Sequence, residues 1–203
     1  MEVNMTRRKS EEIRREEILE AALKCFSKRG YHDTRMDDII KESGLSKGAI
    51  YWYFKGKRDI FIFLIEQHLE EDKIIWERLL KEYELGPDFL IKAGLLYLKK
   101  HFEDEKLSPF FTEFIAESYR DKRIRKKLNE VYKRWIEMVK EAFDMVIKEG
   151  KMKKFDTESL SISLIALIEG LVELKTIFGE KLKYEKIWRT FAKALLEGIQ
   201  KGR

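Results

Sequence analysis

Nucleophilic or metal-assisted chemistry in this chain would have to draw on one thiol, Cys25, and three imidazoles, His32, His68 and His101, which are widely separated in the sequence. A single cysteine forms no internal disulfide, and this set lacks the spacing that zinc uses. The densest grouping, His68-x-x-Glu71-Asp72, puts an imidazole and carboxylates on one helical face. A di-metal bundle needs a second, matching Glu-x-x-His pair, and none is present. Cys25 falls on the apolar side of its helix, away from any histidine that could activate it. The residues therefore argue against an enzyme and imply no metal and no cofactor.

Nucleic-acid chemistry is better supplied. Between Ser43 and Arg58 stand four basic residues, no acidic one, and the consecutive aromatics Tyr51, Trp52 and Tyr53. Such side chains hold phosphates, touch thymine methyls and stack on sugars. Charge along the chain agrees. Residues 1–58 carry 14 Lys and Arg against 10 Asp and Glu, whereas the other 145 carry 28 against 27. Nearly all of the net charge of +5 thus lies in the first quarter of the sequence, as expected if that part alone meets a polyanion.

The elements that must position these residues are helices. Apolar residues recur at spacings of three and four throughout, no run alternates as a strand does, and 44% hydrophobic content with 2 prolines suits folded domains. The spacing predicts nine helices. The first runs from Ser10 to Arg29, with Ile18, Leu19, Ala22, Leu23 and Phe26 inward and Gly30 as its stop. A short second helix spans Thr34 to Glu42, capped by Thr34 and Asp37 and broken at Gly44. Ser46 caps a third, through Phe54; a long fourth follows from Arg58 to Glu84. Pro87 and Pro109 each fit the first turn of a new helix, the latter capped by Ser108. The last three are expected at Asp121–Glu149, Asp156–Phe178 and Tyr184–Gln200.

Thr34 to Phe54 thus reads as a helix-turn-helix. Gly44 allows a left-handed turn, Ile39, Leu45 and Ile50 lock the two helices, and Lys47, Gly48, Tyr51 and Trp52 are left pointing outward, where DNA would lie. The run Gly44-Leu45-Ser46-Lys47-Gly48-Ala49-Ile50-Tyr51-Trp52-Tyr53-Phe54-Lys55-Gly56-Lys57 resembles the signature of the TetR family of transcriptional regulators. The likeness extends over roughly residues 13 to 62 through Ala21-Ala22, Phe26 and Gly30-Tyr31. It implies an all-α fold with a DNA-binding domain at 1–57 and a ligand-binding and dimerisation bundle at 58–203. It implies phosphate contacts by Thr34, Tyr53 and Lys57, and a major-groove surface made by Lys47, Gly48, Tyr51 and Trp52. Asp37 departs from the family pattern and is read as a capping acid; Ile40 is bulkier than the usual Ala.

The remaining two thirds match the family in architecture only. Trp76, Tyr83, Tyr97, Phe111, Phe114, Trp135 and Met138 are the candidates to line an effector cavity, although a helical domain needs aromatic core residues in any case. The basic run Lys122, Arg123, Arg125, Lys126 and Lys127 could meet the anionic head of a fatty acyl-CoA-like ligand. Any buried member of Glu113, Glu117, Glu169 and Glu173 would instead favour a cationic aromatic ligand. In the last two helices, apolar residues occupy more than one face and small residues lie a turn apart at Ala166 and Gly170 and at Ala194 and Gly198. Helices buried on two sides need two partners, and the second is expected to be another copy of the chain in a homodimer.

The expected function is that of a sequence-specific repressor, released from a palindromic DNA operator by a small apolar or amphiphilic effector. A DNA-organising or protein-binding adaptor on the same fold remains an alternative. No stretch approaches 18 uncharged apolar residues and the N-terminus has no apolar leader, so a cytoplasmic location without membrane attachment is expected.

Overall fold

The computed structural model describes residues 2–104 and 106–199, and nine α-helices are present among them. They are α1 (Glu2–Asp33), α2 (Met36–Ser43), α3 (Lys47–Tyr53), α4 (Lys57–Glu82), α5 (Pro87–Glu103), α6 (Leu107–Ser118), α7 (Lys122–Lys148), α8 (Thr157–Phe178) and α9 (Tyr184–Ile199), with a single 3₁₀ turn at Gly179–Lys181. The predicted end at Gln200 lies outside the described residues.

The chain packs as two compact units. One comprises residues 1–69 and 109–128, the other 70–108 and 129–203. Helix α4 gives its first half to one unit and its second half to the other, and α7 likewise belongs to both.

An aromatic cluster closes the first unit. Phe61 of α4 packs edge-on against Phe26, Phe110 and Phe114 at 5.2, 5.2 and 5.5 Å between ring centres, with Tyr31 tilted over it at 4.3 Å. Edge-to-face pairs of this kind add about 0.5–1.5 kcal/mol each to the area they bury. Phe114 is fully buried here and Phe111 packs on His68 in the same unit, so both residues expected to line an effector cavity serve this core instead. The second unit is built around Leu98, Phe143, Val146, Leu164, Leu171, Val172 and Trp188 from α5, α7, α8 and α9.

Local signals hold at several helix ends and move at others. Ser46 accepts the Ala49 N–H at 3.2 Å and Asp156 the Ser159 N–H at 3.1 Å, while Asp121 receives the Arg123 N–H at 2.7 Å. At α2 the cap is shifted by one residue. The helix starts at Met36, and the Asp38 carboxylate, not Asp37, reaches back to the Arg35 N–H at 2.8 Å. Asp38 also accepts from Arg29 at 2.6 Å, a second partner. Ser108 lies inside α6 and donates its hydroxyl to His101 O at 3.1 Å rather than capping the helix. Gly30 breaks α1 as expected, with φ +77°, but the chain makes one more turn to Asp33.

Candidate DNA-reading surface and effector cavity

The chain turns between α2 and α3 through Gly44, whose φ of +68° falls in the left-handed region that glycine enters without steric cost. Ile39 from α2 and Ile50 from α3 are fully buried, and the half-buried Leu45 fills the turn. With Ile50 and Phe54 turned inward, a seven-residue helix has one face left. That face carries Lys47, Gly48, Tyr51 and Trp52, all exposed, with Trp52 at 79%. The Lys47 ammonium lies 5.9 Å from the Tyr51 ring centre, and Tyr53 is half-buried at the helix end. A methyl group added to Gly48 would meet no atom within 4 Å, so nothing in the folded chain requires glycine there.

Two residues expected to hold phosphates have other partners. Thr34 is 1% exposed, and its hydroxyl donates to Gly30 O at 2.7 Å, with Cys25 O at 3.3 Å. The Lys57 ammonium donates to Tyr31 O at 2.6 Å and His32 O at 3.0 Å and stands 4.3 Å over the Tyr31 ring. The break at Gly30 leaves the last carbonyls of α1 without helical partners, and Thr34 and Lys57 supply them. Burial of that ammonium pulls its pKa below the ordinary lysine value. Also in this unit, the Glu113 carboxylate accepts the Tyr31 N–H at 2.9 Å, and Arg58 is paired with Asp121 at 3.2 Å.

The second unit contains a cavity of about 110 Å³. Its wall includes Trp76 from α4, Tyr97 from α5, Trp135 and Met138 from α7, and Trp188 from α9. Tyr83, expected among them, lies beyond the end of α4, exposed, with the Lys92 ammonium 4.2 Å above its ring. Gly94 makes room for one wall: a Cβ there would lie 1.9 Å from the Trp188 ring, whose Nε1–H donates to Ile91 O at 2.9 Å.

Ionisable groups also reach this lining. Asp72, 6% exposed, is paired with Lys100 at 3.0 Å, and desolvation lifts its carboxyl to about 6 despite the ammonium. Glu169 of α8 is pushed up to about 7, chiefly by burial and then by the neighbouring Glu173 carboxylate, against a hydrogen bond from the Tyr132 hydroxyl. Glu113 and Glu117 belong to the first unit, where Glu117 accepts from Arg120 at 3.0 Å, so neither faces this cavity. Among the described residues no group of three or more His, Cys, Asp or Glu is arranged to share a metal ion.

Residues 18–63 match the profile of bacterial regulatory proteins of the tetR family, and residues 92–199 match that of the C-terminal domain of BetI-type transcriptional repressors. The chain belongs to the TetR family. It is similar to the HTH-type transcriptional regulator QacR of Staphylococcus aureus, 26% identical over 92% of this chain and 98% of that one. Its fold is similar to that of the regulator FadR from Bacillus subtilis in complex with stearoyl-CoA, with TM-score 0.80 and 23% identity over 91% of this chain and 98% of that one. It is likewise similar to a regulator from Saccharomonospora viridis in complex with choline, with TM-score 0.78 and 24% identity over 93% and 98%.

In this TetR-family DNA-binding regulator, reading the sequence missed Asp72, Lys100 and Trp188 as cavity residues. Asp72 stood in the sequence beside His68 and Glu71, where it suggested a metal rather than a cavity wall. Lys100 carried no signal, since its pairing with Asp72 joins α5 to α4 across 28 positions. The basic run at the start of α7 lies in the first unit, with Arg125 donating to Ser118 O and Tyr119 O and Lys127 paired with Glu66.

Proposed function

We propose that this protein is a homodimeric repressor that reads a palindromic operator with α3 and leaves it when a small apolar or amphiphilic effector enters the bundle. The observation that carries the reading is the α3 face. A seven-residue helix leaves Lys47, Gly48, Tyr51 and Trp52 in solvent although nothing in the fold needs an aromatic there. In this reading Lys47 and Tyr51 approach base edges, Trp52 and Gly48 lie against the groove, and Tyr53 meets a phosphate. Thr34 and Lys57 hold α1 in register behind them.

Functionally, 1–57 reads DNA and 58–203 senses the effector and dimerises. Support for the dimer comes from α8 and α9. Ile162, Ala166, Gly170, Leu174 and Ile177 form one exposed stripe at spacings of four, four, four and three, and Ile187, Ala194 and Gly198 form another. An apolar stripe of this length on a monomer marks an interaction surface. No helix of the described residues is long and apolar enough to cross a membrane, and we read the protein as a cytoplasmic regulator with no cofactor and no catalytic turnover.

Effector and operator must oppose each other reciprocally. Helix α4, about 39 Å long at 1.5 Å per residue, follows the DNA-reading residues directly and, like α7, contributes to both compact units. The two recognition helices of a dimer are set about 34–36 Å apart by the DNA, so a shift of a few ångströms suffices for release. The test is selection of bound duplexes from a random library, followed by footprinting on genomic DNA. A short palindrome recovered near a few promoters is the expected result. Many scattered, unrelated sites would establish the DNA-organising alternative, and no enrichment would end the reading.

A further inference from the structure

We propose that the cavity of the second unit is a binding site for a small organic cation, an amine or quaternary ammonium with an aromatic or branched alkyl body, whose charge is met by Glu169. The proposal rests on reading the bundle as the effector domain and adds the chemical class of the effector.

Charge balance inside the lining decides the sign of the ligand. Asp72 and Lys100 neutralise one another at 3.0 Å, with Glu71 3.2 Å from the same ammonium. Glu169 receives no such cation. The groups acting on it are the Tyr132 hydroxyl from α7, Glu173 one turn along α8, and Asp72 from α4. An anionic head group would therefore add a charge to a wall that is already negative. A cation would complete a pair.

The aromatic walls favour the same class. Trp76, Tyr97 and Trp135 line the cavity, and a cation over an aromatic ring is attracted by its quadrupole, most strongly where water is excluded. A second, independent feature is the Tyr97 hydroxyl, which is buried and has no hydrogen-bond partner among the described residues. Buried polar groups are nearly always paired, so this one is suited to a hydrogen-bonding group carried by the ligand.

The cost of holding Glu169 out of water supplies a further consequence. Its carboxyl is lifted to about 7, and a bound cation selects the ionised form. Cation binding near neutral pH thus releases a proton, and affinity falls about tenfold for each pH unit below the carboxyl pKa. Asp72 titrates lower, at about 6, and Tyr97 and Tyr132 well above neutrality, so Glu169 is the group that sets the profile between pH 6.5 and 8.

The experiment is isothermal titration of the full-length protein with benzyltrimethylammonium, phenylacetate and decanoyl-CoA, repeated on Glu169→Gln and across that pH range. Saturable binding of the ammonium, strengthening with pH and weakened about tenfold or more by Glu169→Gln, with no binding of phenylacetate, is expected. Glu169→Asn, which moves the uncharged amide back from the wall, gives the same loss if charge is the cause. Binding of phenylacetate or decanoyl-CoA in preference to the ammonium overturns the proposal. So does ammonium affinity that is independent of both pH and residue 169, or absent at millimolar concentration. Titration against selected operator DNA separates the two readings. An ammonium that binds without releasing DNA refutes the effector role and leaves the cation site standing; DNA binding without ammonium binding refutes the cation site alone.

Discussion

Replacing Gly48 with Ala should stabilise the protein and weaken its hold on DNA. Gly48 is the second residue of α3, in ordinary helical conformation, and a Cβ built on it has no atom within 4 Å. Glycine in a helix costs up to about 1 kcal/mol relative to alanine, because the unfolded chain loses more freedom. Folding should therefore gain about 0.5–1 kcal/mol, which for a chain of this size raises Tm by about 1–4 °C. On DNA the same methyl projects from the exposed face between Lys47 and Tyr51. A backbone that approaches base edges closely must retreat by about the radius of that methyl, and losing one good base contact costs about 1–3 kcal/mol, or about 5- to 150-fold in affinity. The assays are a thermal melt and a titration of the selected operator duplex at fixed salt. A lower Tm would show that the space beside Gly48 is not open. A higher Tm with unchanged DNA affinity would show that Gly48 does not face the groove, and the assignment of α3 as the reading helix would fall with it.

Other perturbations separate structural from functional roles. Lys57→Met keeps the aliphatic stem but removes the donor to Tyr31 O and His32 O, and should cost about 1–2 kcal/mol of stability while changing the salt dependence of DNA binding by less than one unit, measured by denaturant melts and by titrations across salt. Gly170→Arg adds a side chain where nothing lies within 4 Å, so the monomer should remain folded by circular dichroism while sedimentation shows the dimer dissociated; a dimer that persists at micromolar concentration would place the interface elsewhere. Glu169→Gln should alter stability with pH. Folding raises this carboxyl from its ordinary 4.5 to about 7, so its contribution is fully present below 4.5 and lost as pH rises through 7. The variant should accordingly melt above the wild type at pH 8, and the gap should close toward pH 4.5.

Much of the fold was legible because its signals are local. Ser46 caps α3, the helices expected from Asp121 and Asp156 begin directly after those residues, Gly44 makes the turn, and Ile39 and Ile50 are buried where their spacing put them. Asp37 and Asp38 could not be told apart by spacing, because the choice depends on Arg29, a residue of the preceding helix. The packing roles of Thr34 and Lys57 were hidden for a related reason: each donates to carbonyls at the end of α1 that only the folded chain brings within reach. Aromatic residues carry no label for core or cavity. Phe111 and Phe114 were equivalent to Trp76 and Trp135 in the sequence, and only packing assigned the former pair to the Phe61 cluster or to His68.

The four tryptophans are distributed unevenly. Trp52 stands in solvent on the exposed face of α3, while Trp76, Trp135 and Trp188 all border the cavity. The wild-type protein is thereby its own two-channel fluorescent reporter. DNA should quench a red-shifted, water-exposed emitter, whereas a ligand in the cavity should perturb the blue-shifted emission of the other three. A Trp52→Phe chain would leave the second channel alone, and the order in which the two signals change on rapid mixing would give the sequence of effector entry and operator release without any attached dye.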